Sequence, residues 1–219
     1  MTRRLIVILT AVIAAFAFIA AGFLYQRHSA QEAQTRAASQ ADALVRLHSP
    51  VLGPAAAPVT VVEFFDPSCE ACRAFYPYVK QILAAYPKDV RLVVRYAPFH
   101  PGSDEAVAIL ELARAQGKFE QVLEALLAQQ PQWAAHGTPD LRLAWSVAAS
   151  AGLVVDRDQV QAIQSKVAAI LKQDMDDVKA LAVEKTPTFF VNGKPLTTVG
   201  PQQLLELVKD EVARSRAAS

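Results

Sequence analysis

Two short runs, VTVVEFF at Val59–Phe65 and VRLVVRY at Val90–Tyr96, have strand length and are rich in β-branched and aromatic side chains. Between them Ala74, Phe75, Tyr78, Val79, Ile82, Leu83 and Tyr86 keep helical spacing, and Pro87 closes the segment. Asp66-Pro67 stops the first strand, Ser68 is placed to cap the helix, and Pro77 is placed to kink it. Strand, helix and strand within residues 59–96 read as a βαβ unit, so the expected class is α/β with a parallel pair at its centre.

The remaining pattern surrounds that unit. DEAVAILELARAQ, KFEQVLEALLAQQ and PDLRLAWSVAASAG are all helical in period, and they place a helical insertion at residues 101–155. Asp156 with Gln159 offers a capping box for a long helix toward Lys185. TPTFFVNGKPLTTV then holds two short strands about Asn192-Gly193, a strong hairpin signal. A final amphipathic helix starts at Pro201.

Residues 5–25 form a run of 21 without a charge, which is membrane-spanning length. Arg3 and Arg4 precede it, which keeps that end in the cytoplasm and exports the rest. A cleaved signal peptide is the rival reading, but its apolar region usually covers about 7–15 residues. An uncleaved anchor is preferred. Without Arg3, Arg4 and Arg27, 19 Lys and Arg remain against 21 Asp and Glu, so no basic patch points to nucleic acid. Residues 26–57 read as a solvated alanine-rich helical spacer followed by an extended lead-in. Ala33, Ala37, Leu44 and Leu47 fall near heptad spacing, which leaves a weak oligomerisation helix as the other reading.

Both cysteines, Cys69 and Cys72, lie where the first strand gives way to the helix. There the free backbone N–H groups and the helix dipole favour a thiolate, lowering such thiols to about 3.5–7.5. Cys72 follows one turn on, on the same face and within bridging distance. A bridge over two residues closes almost no loop and stabilises little, so a structural staple is a poor reading. Zinc needs four ligands, and His28, His48, His100 and His136 lie apart in linkers or loops. No metal or cofactor is expected, with copper on the two thiolates as the different-class alternative: a binding or delivery module. Thr186-Pro187 opens a strand where a proline donates no ladder bond, which fits either a cis bond or a trans proline in the preceding loop.

The order of PVTVVEFFDPSCEAC, GKFEQVLEALLAQQ and TPTFFVNG resembles the thioredoxin fold with a helical insertion, as in the DsbA-like branch of exported thiol:disulfide oxidoreductases. The resemblance covers about residues 49–212. It implies a central mixed sheet flanked by helices: a thioredoxin-like domain at 58–100 and 156–214, a lid of inserted helices at 101–155, an anchor at 1–25 and an exported spacer at 26–57. It further implies that Cys69 is the nucleophile and Cys72 the resolving thiol. Pro187 would be cis beside the sulfurs, and Thr186 would offer backbone hydrogen bonds to substrate. Glu63 matches a position that assists proton transfer, although strand pattern alone equally allows it to face outward. The implied partners are proteins bearing thiols or disulfides and a membrane redox protein. The implied location is a bacterial inner membrane, crossed once, with the catalytic domain in the periplasm. The dipeptide Glu70-Ala71 departs from the proline or histidine of many oxidising members. A carboxylate about 7 Å from the sulfur disfavours the thiolate by about 0.6–2.4 kcal/mol. Architecture thus favours an oxidase, whereas Glu70 favours a reductase or isomerase.

Overall fold

The parallel pair anticipated from VTVVEFF and VRLVVRY forms the middle of a five-stranded mixed sheet in the computed structural model, which describes residues 2–135 and 138–218. In chain order, α1 (Thr2–Ser39) and α2 (Ala41–Leu44) lead to the short strand β1 (Val51–Leu52). The central unit is β2 (Val59–Phe65), α3 (Glu70–Ala85) and β3 (Val90–Tyr96). Four helices follow: α4 (Ser103–Ala115), α5 (Phe119–Ala128), α6 (Gln130–Trp133) and α7 (Leu141–Ser150). The long α8 (Arg157–Ala180), the strands β4 (Thr188–Val191) and β5 (Lys194–Pro195), and α9 (Pro201–Ala217) complete the chain. His136, one of the four scattered histidines, lies outside the described residues.

The sheet order is β1-β3-β2-β4-β5, and β2 and β3 are parallel from Val59 opposite Val90 to Phe65 opposite Tyr96. The other pairings are antiparallel. Because β2 is covered on both faces, its sequence is almost continuously apolar, with alternate side chains serving two different cores. Val59, Val61 and Phe65 meet Cys72, Tyr76, Val79 and Ile82 of α3 and Leu204, Val208 and Val212 of α9. Val62 and Phe64 meet Val178, Leu181 and Phe190 together with Ala37, Ala43 and Leu44. The β4–β5 turn uses Asn192 and Gly193 at φ +47° and +78°, the left-handed pair a two-residue hairpin requires.

Several local expectations need correction. Ser68 does not cap α3: Cys69 occupies that position, with extended backbone at φ −76° and ψ 119°. Only half of the capping box forms, since Asp156 accepts from the N–H groups of Asp158 and Gln159 while the Gln159 side chain turns to Gln116.

The segment between the apolar run and the sheet is not a solvated spacer throughout. Helix α1 runs past Tyr25 to Ser39, and Ala37, Ala43 and Leu44 are buried against the sheet. Beyond them Arg46 clasps Asp177 through Nε at 2.8 Å and Nη2 at 2.6 Å, and His48 Nε2 lies 2.6 Å from Asp174. The same two carboxylates hold the fully buried Arg95, whose Nη2 is 2.7 Å from Asp174 and 2.6 Å from Asp177. Among the described residues α1 is the one helix long and apolar enough to cross a membrane. Its side chains over that run, including Phe16, Phe18 and Leu24, are exposed.

Candidate active site

At the end of β2 the chain turns through Asp66, Pro67 and Ser68 and enters α3 at Cys69, whose N–H donates to the Asp66 carbonyl at 3.1 Å. The strand-to-helix switch that the sequence signalled thus places a sulfur where helix N–H groups have no intrahelical partner. The Cys69 thiol donates to the Thr186 carbonyl at 3.4 Å, across 117 residues of sequence. The Thr186–Pro187 peptide bond is cis. Cys72 lies one turn into the helix and is fully buried, and the pair is in the dithiol form.

Their surroundings drive the two thiols apart. A hydrogen bond from the Cys72 side chain acts most strongly on Cys69. The Thr186 side chain and the backbone N–H groups of Cys72 and Ala71 add to it against the opposing effect of burial, and the pKa falls to about 5. Burial pushes Cys72 well above the ordinary thiol value, reinforced by its bond to Cys69 and by the charge of Glu63. Glu63 faces inward, 2% exposed, from the middle of β2 opposite Val94 and Phe189. Burial first, then the Cys69 charge, raises its carboxyl group to about 8, and its Oε1 has no hydrogen-bond partner. Glu70 is exposed at the first position of α3. With the Glu70 carboxylate beside it, Cys69 is still held below the ordinary thiol value by hydrogen bonds, that from the Cys72 side chain first.

Three residues that the sequence reading passed over complete the site. Asp66 is wholly buried, and its Oδ2 accepts from the N–H groups of Phe99 at 2.7 Å and His100 at 3.0 Å. The same oxygen lies 2.6 Å from His100 Nδ1, while Oδ1 accepts from Ser68 N–H and the Ser103 hydroxyl. Gln130 of α6 donates through Nε2 to the carbonyls of Pro67 at 2.8 Å and Cys69 at 3.0 Å, and accepts from Arg73 Nε at 2.9 Å. A signal for Asp66 and His100 was present: both leave the carboxyl ends of adjacent parallel strands, where sites in α/β sheets collect. Gln130 had no such signal. Among the described residues no third ligating side chain joins the sulfurs in a cluster able to hold a metal ion.

A thioredoxin family model, Thioredoxin_4, matches residues 46–210. Among curated proteins, the Na(+)/H(+) antiporter NhaA 3 of Salinispora tropica is 36% identical over 147 residues, 66% of this chain but 22% of that protein. The chain therefore spans about a fifth of the length of the curated relatives it matches. Among solved structures, a thioredoxin-like oxidoreductase from Silicibacter pomeroyi DSS-3 is 33% identical with a TM-score of 0.65, covering 81% of this chain and 98% of that one. Oxidised BdbD from Bacillus subtilis is 25% identical with a TM-score of 0.66 over 75% and 93% of the two chains. The thiol-disulfide exchange protein alpha-DsbA2 of Wolbachia pipientis shares the fold at 18% identity and a TM-score of 0.69, over 85% and 97%. With its folded body matched from residue 46 to residue 210 around this pair of thiols, the chain belongs to the thioredoxin family.

Proposed function

We propose that the chain is a membrane-anchored thiol:disulfide oxidoreductase that works outside the cytoplasm and oxidises protein thiols. The observation that carries this reading is Cys69 at the start of α3, bonded to the Thr186 carbonyl, with Cys72 buried one turn behind it. In the oxidised enzyme a substrate thiolate attacks the Cys69 sulfur. A substrate–Cys69 bond forms, the Cys69–Cys72 bond breaks, and the electron pair leaves on Cys72. Its high pKa means that Cys72 takes up a proton, and Glu63 is the buried carboxyl group placed to relay it. A second substrate thiolate then attacks the substrate sulfur of the mixed disulfide. The substrate disulfide forms and Cys69 departs as the thiolate its surroundings favour. Two electrons have passed from the substrate dithiol to the enzyme pair, and a membrane redox partner would remove them.

Thr186 and Pro187 are read as the platform for an extended substrate segment beside Cys69, and Glu70 as a modulator that opposes the thiolate. A depressed Cys69 stabilises the reduced enzyme, which supports the oxidising direction over a reductase or isomerase. Residues 5–25 of α1 serve as the single span, with the folded body on the periplasmic side of a bacterial inner membrane. The test is a pair of variants. Cys69→Ser is expected to abolish dithiol–disulfide exchange, and Cys72→Ser to accumulate mixed disulfides visible on non-reducing gels. Turnover retained by Cys69→Ser sinks the mechanism.

A further inference from the structure

One buried carboxylate is shared between the cysteine turn and the loop that follows β3. Asp66 fixes that turn through its carbonyl, which accepts from Cys69 N–H, and through Oδ1, which accepts from Ser68 N–H. Its Oδ2 takes the main-chain N–H and the Nδ1 of His100 together, and a carboxylate accepts only, so the ring proton sits on Nδ1. One oxygen thus holds both the main chain and the ring of His100, with Nε2 on the side away from Asp66. The His100 side chain remains 44% exposed.

The ring touches Asp66 at 2.6 Å, the residue whose carbonyl also holds Cys69 N–H at 3.1 Å, and the charges that act on it, Asp66, Cys69 and Glu70, are all negative. Burial opposes the imidazolium, but the bond to Asp66 and the three anions outweigh it and raise His100 above its ordinary 6.5. We infer that His100, oriented by Asp66, is a positioning residue whose positive charge stabilises the Cys69 thiolate and offsets Glu70. This rests on Cys69 being the exchanging thiol. It acts on the step in which the mixed disulfide breaks: the new S–S bond forms within the substrate, the Cys69–substrate bond breaks, and the electron pair settles on Cys69. A leaving thiol of lower pKa departs faster. As pH rises through the elevated His100 pKa the cation is lost, and with it part of the support for the thiolate, so the two titrations are coupled.

The test compares the full-length chain in detergent with His100→Asn and His100→Lys. Two quantities are measured: the pH dependence of Cys69 alkylation, and the equilibrium with reduced and oxidised glutathione. Expected for His100→Asn is a Cys69 pKa higher by about one unit. The reduced enzyme should also be disfavoured about tenfold against glutathione, or about 30 mV. His100→Lys should retain most of both. The inference is overturned if His100→Asn titrates and equilibrates like the unaltered chain, or if His100→Lys loses as much as His100→Asn, which would assign the residue a structural role. An unaltered chain whose Cys69 neither alkylates below neutral pH nor exchanges with glutathione would instead remove the exchange reading itself.

Discussion

Glu63 shows what a single buried group costs this fold. Its carboxyl group is raised from 4.5 to about 8, so between those values the folded chain holds a proton that the unfolded chain releases. Stability from this residue is therefore greatest at low pH and declines as pH rises from about 4.5 to 8, by roughly 3–5 kcal/mol. The depressed Cys69 adds the opposite trend to the reduced protein, so in urea denaturation Glu63→Gln should raise stability at pH 8 relative to pH 5; an unchanged difference between the two pH values would remove this role from Glu63. Legibility at this scale was uneven. Cys69 and Cys72 stood out because a strand and a helix meet at them, and Thr186-Pro187 because a proline opens a strand. The inward orientation of Glu63 could not be read, because a strand with both faces covered has no polar side to reveal which way a residue points. Asp66 looked like a strand terminator, and its five bonds come from residues 2 to 37 positions away.

Among the elements, α6 matters more than its four residues suggest. Gln130 presents both amide protons to the turn before α3, so the helices after β3 are tied to the cysteine pair by hydrogen bonds as well as apolar packing. Gln130→Leu leaves the Pro67 carbonyl without this donor and should destabilise the chain by about 1–3 kcal/mol. Thermal or urea denaturation reads this directly, and no loss would mean that the turn holds itself. Helix α8 has a comparable role on the opposite face of the sheet, where Asp174 accepts from Arg95 and from Tyr96 N–H. Breaking a buried ion pair leaves a charge uncompensated, so Asp174→Ala should cost about 3–5 kcal/mol. Helical period had placed α8, but nothing in a local pattern pairs its acidic residues with an arginine 79 positions earlier.

For the whole molecule, the order of strands and helices was legible because each carries its own period and stop signals. The union of the segment after the apolar run with the folded body was not. Residues 26–48 show alanine and polar side chains without a clear apolar stripe, and their partners lie as far as 131 residues away. Counting from residue 26 to residue 39, α1 rises about 21 Å beyond the apolar run. It then joins the body through Ala37, Ala43 and Leu44, so the tether is held rather than loose. Removing residues 1–28 should leave a stable soluble protein, whereas removing residues 1–49 should lower stability by at least about 2 kcal/mol through loss of Leu44 burial and the Arg46 pairing. Equal stability of the two truncations would restore the view of a passive spacer. The central claim, an exchanging pair poised to oxidise its substrates by a stabilised Cys69 thiolate, is tested most directly by the reduction potential of the Cys69–Cys72 couple in glutathione buffers. Expected is a two-electron couple more oxidising than about −200 mV, and a couple at or below that value would contradict the oxidising assignment.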